Sequence, residues 1–330
     1  MPDHNRLFRG DNLQVLRDHV PAESVDLCYI DPPFHSRRNY RARADSAAFT
    51  DTWSWDDAAR QGFHALTTGL HPPAMVRLLQ GLEPVVGQSS LLAYLVSVAQ
   101  RLTEIDRVLR PTGSLCLHCD PSASHYLKLL LDAVFRAPGG GFRNEIVWCY
   151  SHGGRSRKWF GRKHDIIFYY AKSADCHFDP RAVRVQMRSG AQSFGGRLLT
   201  GEDGRKYRLV YGTRNSHGAV RYYKYYLDEG KVPEDWWADI NSLQASSAER
   251  TGYPTQKPEA LLQRIVGACS RPGDTVLDAY CGCGTTLMAA ERAGRSWIGI
   301  DLAPQAIALT LERLQSTFGA EVAERIEIVR

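Results

Sequence analysis

Residues 31–34 read Asp31-Pro32-Pro33-Phe34, a carboxylate, a rigid proline pair and an aromatic ring in four positions. Their chemistry suits alkylation of an exocyclic amino nitrogen. Such a nitrogen delocalises its lone pair into the base ring, so it becomes a competent nucleophile only when acceptors hold its hydrogens and favour a tetrahedral geometry. Asp31 offers a carboxylate and Pro32 a backbone carbonyl. The Pro32-Pro33 linkage fixes the intervening torsions, which aims both acceptors at one point without an ordering cost. Phe34 offers a ring for a planar base to stack on. The competing reading is a turn that merely ends a strand, since Asp and Pro are ordinary turn residues.

The elements around this tetrapeptide favour the first reading. Residues 24–30 form an apolar, β-branched and aromatic run, so a buried strand delivers Asp31 to its carboxyl end and the prolines stop it there. Open α/β sheets bind ligands at that edge. Upstream, Leu7-Phe8-Arg9-Gly10-Asp11 predicts a short strand ending in an acid, and a helix over residues 12–19 completes a βαβ unit. Asp11 is then either an acid at the ligand edge or the N-cap of that helix. Residues 35–88 carry a weak pattern and read as a long loop or helical excursion over the site mouth. Residues 89–110 have helical periodicity, residues 114–119 form the next buried strand, and a helix runs from about 122 to 135. Residues 145–150 and 164–171 are expected as an antiparallel edge pair.

A second constellation lies near the end of the chain. Residues 274–279 read as a strand, Tyr280-Cys281-Gly282-Cys283-Gly284-Thr285-Thr286 as a glycine turn opening a helix, and residues 296–300 as a strand closed by Asp301. This is a nucleoside-binding half, with Asp301 falling 19 positions after Gly282, where an acid reaches ribose hydroxyls. The third glycine of a dinucleotide fingerprint would stand at Leu287, which argues against a nicotinamide cofactor and for one holding a single nucleoside. The eight cysteines read as free thiols. Of the two close pairs, Cys116 and Cys119 alternate along a strand while Cys281 and Cys283 lie in the glycine turn, so no metal is expected.

A chain of 330 residues with 43% hydrophobic and 23% charged residues has globular composition and no apolar run long enough to cross a membrane. The first residues lack the apolar core of a signal peptide, so the expected location is the cytoplasm. The net charge of +5 is uneven. Residues 136–231 hold 19 Lys and Arg against 8 Asp and Glu, a local +11 that leaves −6 elsewhere, and a basic middle on an acidic body points to a polyanion-binding insert. Arg155, Arg157, Lys158, Arg162 and Lys163 alternate with Trp159, Phe160 and glycine, joining phosphate neutralisation to stacking surface. Arg37 and Arg38, directly after Phe34, are further candidate phosphate contacts.

With these residues in view, the chain resembles the amino-methylating DNA methyltransferases that use S-adenosylmethionine, in the permuted (β-type) order where the catalytic motif precedes the cofactor motif. Asp31, Pro32, Pro33 and Phe34 look like the catalytic motif. Thr255, Gln256 and Lys257, before Pro258, resemble the segment holding the methionine end of the cofactor. Asp278, Ala279, Tyr280, Cys281, Gly282, Gly284, Thr285 and Thr286 resemble the cofactor loop, with Ala279, Tyr280 and Cys283 departing from its usual sequence, and Asp301 resembles the ribose-binding acid. The role of Asp11 against the cofactor's adenine depends on which terminal strand, near residues 7–9 or 325–329, lies beside the ribose-binding strand.

The resemblance implies an α/β fold: a mostly parallel Rossmann-like sheet with an antiparallel edge strand and an inserted target-recognition region. It divides the chain into a catalytic half (1–172), that region (173–250) and a cofactor-binding half (251–330). The expected activity is methylation of adenine N6 in double-stranded DNA after the base is flipped out. N4-cytosine methylation shares the same acceptors, although a Ser in place of Asp31 is commoner there. An RNA or protein amino-methyltransferase and a non-catalytic DNA-binding protein are weaker alternatives. Ring-carbon methylation is disfavoured, since none of the sixteen prolines precedes a cysteine. The resemblance is compatible with a homodimer and with a cognate restriction enzyme as partner.

Overall fold

A computed structural model describes residues 5–35, 39–41, 47–69, 71–151, 157–186, 197–214 and 218–329. The first βαβ unit is β1 (Asn5–Arg9), α1 (Asn12–His19) and β2 (Val25–Ile30). Asp11 caps α1, its Oδ1 accepting from the amides of Leu13 at 2.9 Å and Gln14 at 3.2 Å. After β2 comes a small hairpin, β3 (Asn39–Arg41) with β4 (Ala47–Thr50), followed by α2 (Asp57–Thr68) and α3 (Pro73–Val86). The excursion over residues 57–86 is therefore helical. Leu66, Met75 and Leu79 are fully buried there, at about 1.5–3 kcal/mol for each such side chain, so both helices pack into the core, and none of their residues lines the site cavity that they were expected to overhang.

Helix α4 (Ser90–Val108) is buried along most of its length, with Leu92, Tyr94, Leu95, Ala99, Leu102 and Ile105 inaccessible. It hands directly to β5 (Leu109–Cys119), so residues 109–113, expected to end a helix and turn, instead open a strand. Then follow α5 (Ser124–Val134), β6 (Gly141–Cys149) and β7 (His164–Ala171).

Residues 179–234 form a compact unit of their own. Its β8 (Leu198–Thr200), β9 (Lys206–Arg214) and β10 (Val220–Tyr226) make an antiparallel sheet in the order β10-β9-β8. Val183 is the one buried residue among those described in this unit. Surface pairs hold it instead: Tyr207 with Tyr226 and Tyr211 with Tyr222, ring centres 5.6 and 5.2 Å apart, and Arg205 bridging Asp228 and Glu229.

The remainder of the chain belongs to the main unit, with β11 (Trp236–Trp237), α6 (Glu259–Cys269), β12 (Thr275–Asp278), α7 (Thr285–Arg292), β13 (Ser296–Asp301), α8 (Pro304–Phe318) and β14 (Ile326–Val329). Among the described residues its large sheet has nine strands, in the order β11-β6-β7-β5-β2-β12-β13-β1-β14. Neighbours are parallel except where β7 meets β5 and β6. The fold is thus the expected α/β sheet, with two corrections and one open alternative resolved. Residues 235–250, expected in the insert, sit on the main unit: β11 pairs with β6, and the Trp148 indole donates to the Ile240 carbonyl at 2.7 Å. For the same reason β6 is not the outermost strand. The place beside β13 goes to β1, with Arg9 opposite Asp301, and β14 lies outside β1. Among the described residues no helix is long and apolar enough to cross a membrane.

Candidate active site

Four acids, Asp11, Asp31, Asp278 and Asp301, stand at or just beyond the carboxyl ends of the adjacent strands β1, β2, β12 and β13. Parallel pairing places them on one edge, where Asp278 is level with Tyr29 and Gly299. A cavity of about 520 Å³ opens along it, within the usual size of a small-molecule site. Asp31, Pro32, Pro33 and Phe34 line one part of it, and Asp11, Thr255, Gln256, Lys257, the stretch from Asp278 to Gly282, Thr285, Thr286 and Asp301 are among the residues that line other parts. Gly284 does not reach it. That residue is left-handed at φ 77°, and a Cβ there would stand 2.7 Å from Thr310, so it shapes the start of α7.

Several of these side chains also hold the loops in shape. Asp301 accepts from the Gly282 amide at 2.9 Å and the Ala303 amide at 2.8 Å, one per oxygen, leaving further lone pairs for a ligand. Burial raises its carboxyl, against those two amides. Asp278 accepts from the Thr286 hydroxyl at 2.5 Å and the Tyr280 amide at 2.9 Å, and burial pushes its carboxyl up to about 7. Gln256 turns inward: its Oε1 accepts from the Thr251 amide and hydroxyl and its Nε2 donates to the Glu249 carbonyl. Lys257, expected at the cofactor, forms an ion pair with Asp31.

Sequence reasoning missed two groups. Arg101, from α4, donates to Asn12 Oδ1 at 2.7 Å and Asp11 Oδ2 at 3.0 Å, while Asn12 Nδ2 donates to the Ala279 carbonyl at 2.7 Å. Helical periodicity marks α4 but gives no hint that one of its arginines turns to the site. The second group lies behind Phe34. The Tyr29 hydroxyl is 2.8 Å from His118 Nδ1, His118 Nε2 is 3.2 Å from Asp165 Oδ2, and the Tyr150 hydroxyl donates to Asp165 Oδ1 at 3.1 Å. The His118 ring lies 6.1 Å from that of Phe34, centre to centre. Burial by itself raises the Asp165 carboxyl, but His118, with Lys257 and Tyr150, outweighs it and holds it below its ordinary value. The only sequence signal was the alternation that put His118 on a strand.

The connection between β6 and β7 leaves this same edge. Trp159 and Phe160 are 82% and 102% exposed, flanked by exposed Arg157, Lys158 and Arg162 and half-buried Lys163. Arg37, Arg38 and Arg155 lie outside the described residues.

A family described as DNA methylase matches residues 25–312. The chain is 28% identical over 325 residues to the DNA adenine methyltransferase YhdJ of Escherichia coli (strain K12), covering 97% of this chain and 87% of that protein. It is 28% identical over 314 residues to the type II methyltransferase M.HpaI of Haemophilus parainfluenzae, covering 95% and 75%. Among solved structures, PvuII DNA methyltransferase (cytosine-N4-specific) aligns over 98% of this chain and 94% of its own, with a TM-score of 0.57 and 14% identity. The M1.HpyAVI-SAM complex aligns over 94% and 98%, with a TM-score of 0.51 and 15% identity. These two are likenesses of fold.

Proposed function

The chain belongs to the DNA methylase family that modifies amino nitrogens of bases, and we propose that it methylates N6 of an adenine flipped out of duplex DNA. S-adenosylmethionine, the cofactor of the family, supplies an electrophilic sulfonium methyl group when bound. The cavity suits a cation, since four acids besides Asp278 (Asp11, Asp31, Asp51 and Asp301) line it against two basic side chains, Arg101 and Lys257. The Gly282 turn suits a closely held nucleoside: its φ is 52°, and a Cβ there would stand 3.1 Å from the Tyr253 ring. Asp301 and the turn from Asp278 to Gly282 are the residues that would hold the cofactor, with Asp11 and Thr255 at its margins.

The chain's own residues do the rest. The Asp31 carboxylate and the Pro32 carbonyl accept the amino hydrogens, which frees the nitrogen lone pair for attack, and Asp31 is placed to take the proton then released. Phe34, braced by His118, offers its face to the flipped base. Arg157, Lys158, Arg162 and Lys163 neutralise phosphates, with Trp159 and Phe160 between them as stacking surface. The basic, tyrosine-rich unit 179–234 is the target-recognition region in this reading.

The observation that carries the proposal is that one cavity is lined by both Asp31 and Asp301, so amino-group acceptor and ribose-binding acid face one space. Adenine is favoured over cytosine by the acid at the head of the tetrapeptide and by the adenine specificity in the name of the Escherichia coli relative. Digesting DNA from expressing cells to nucleosides and identifying them by mass spectrometry tests this. N6-methyladenine is expected. N4-methylcytosine alone would overturn the choice of base, and no methylated nucleoside would overturn the activity.

A further inference from the structure

The place of Lys257 within Thr255-Gln256-Lys257-Pro258 assigns it to the cofactor, but its ammonium stands elsewhere. It pairs with Oδ2 of Asp31 and lies over the Phe34 ring, 5.4 Å from its centre. Those are the two features a target base needs: the acceptor for its amino hydrogens and the face on which it stacks. The two charged side chains are only 10% and 17% exposed, so the pair fills an enclosed position. The turn that delivers Lys257 is strained. Thr255 is left-handed at φ 57°, a conformation that β-branched residues rarely adopt, and its carbonyl accepts a second, longer bond from the ammonium at 3.4 Å.

We propose that Lys257 is the placeholder of the target-base pocket: its ammonium occupies the Asp31–Phe34 position while no base is present and gives it up to the amino group of the incoming base. The inference rests on the amino-methyltransferase reading above and deepens it. Ammonium and amino group are both N–H donors, so the exchange keeps Asp31 hydrogen-bonded throughout, where an unpartnered buried carboxylate would be costly. The exchange has a thermodynamic signature. While the ammonium holds the pocket, the form that accepts a base is a minority, and the apparent affinity for DNA is reduced by that fraction.

The test compares wild type, Lys257→Met, Lys257→Arg, Asp31→Asn and Lys257→Met in an Asp31→Asn background. Each is titrated with a duplex carrying a site the wild type methylates, with S-adenosylhomocysteine present to prevent turnover, and S-adenosylmethionine affinity is measured by calorimetry. Lys257→Met should bind the duplex about ten-fold tighter if the open form is about a tenth of the population, while Lys257→Arg stays within about two-fold of wild type. The tightening should vanish when Asp31 is Asn, and cofactor affinity should not fall. A Lys257→Met protein that binds DNA no tighter, or that loses cofactor affinity, sinks this inference alone. A wild type that methylates no DNA brings down the activity reading and this inference with it, so the two failures are distinct.

Discussion

Asp278 shows how far one residue's surroundings can move it from the role its motif implies. It matches the acid of the cofactor loop, yet both its oxygens are engaged within the protein and burial pushes the carboxyl up to about 7. The consequence for stability has a definite sign. A carboxyl raised in the folded state contributes stability fully present below its unfolded value, about 3.9, and lost as pH rises through the folded value. Between those limits the wild type should lose about 1.4 kcal/mol per pH unit relative to Asp278→Asn, which cannot ionise. Chemical denaturation of both proteins at pH 5 and pH 8 measures this. A difference between them that is the same at both pH values would show that Asp278 is not held in this way.

Among the elements, the packing of α7 on β13 departs most from the glycine fingerprint. Leu287 occupies the position of the third glycine, whose small size normally lets helix and strand approach. Here the strand provides the space. A Cβ on Gly299 would lie 2.5 Å from Leu287 Cδ1 and 3.0 Å from Leu7 Cδ1. Gly299→Ala should therefore destabilise the protein by about 1–3 kcal/mol through overpacking. Adding Leu287→Ala should cost less than the sum of the two single changes, by about 0.5–3 kcal/mol, and strictly additive losses in denaturant titrations would show that the two do not share the space. Gly299 could not be singled out beforehand, because its importance depends on residues from β1 and α7 meeting across the sheet. The same limit explains what else was illegible. Asp31 with its prolines and Asp301 after the glycine turn were readable because each ends a short, strongly apolar run. Arg101, His118 and Asp165 reach the site through contacts 47 to 90 positions apart, which no local pattern records. Residues 57–86 read weakly because α2 and α3 bury narrow stripes, and residues 235–250 were given to the insert because a two-residue strand leaves no periodicity.

For the whole molecule, the two compact units carry different physics. The main unit has a continuous apolar core and the site cavity, whereas the described part of 179–234 buries almost nothing and shows Tyr211, Tyr222, Tyr223 and Tyr225 among its basic residues. Replacing 179–234 by a Gly/Ser linker should leave S-adenosylmethionine affinity unchanged while removing discrimination between target and non-target duplexes; loss of cofactor binding would mean that the main unit depends on the insert to fold. In the proposed reaction Asp31 acts on the amino nitrogen in the cavity that also takes the cofactor, and Asp31→Ala separates the two events by single-turnover methyl transfer beside calorimetry with S-adenosylmethionine. The transfer rate should fall by about 10² to 10³ with cofactor affinity nearly unchanged, the signature of an interaction made in the transition state. Near-wild-type transfer by the variant would rule out that role and leave Asp31 as the end of a strand.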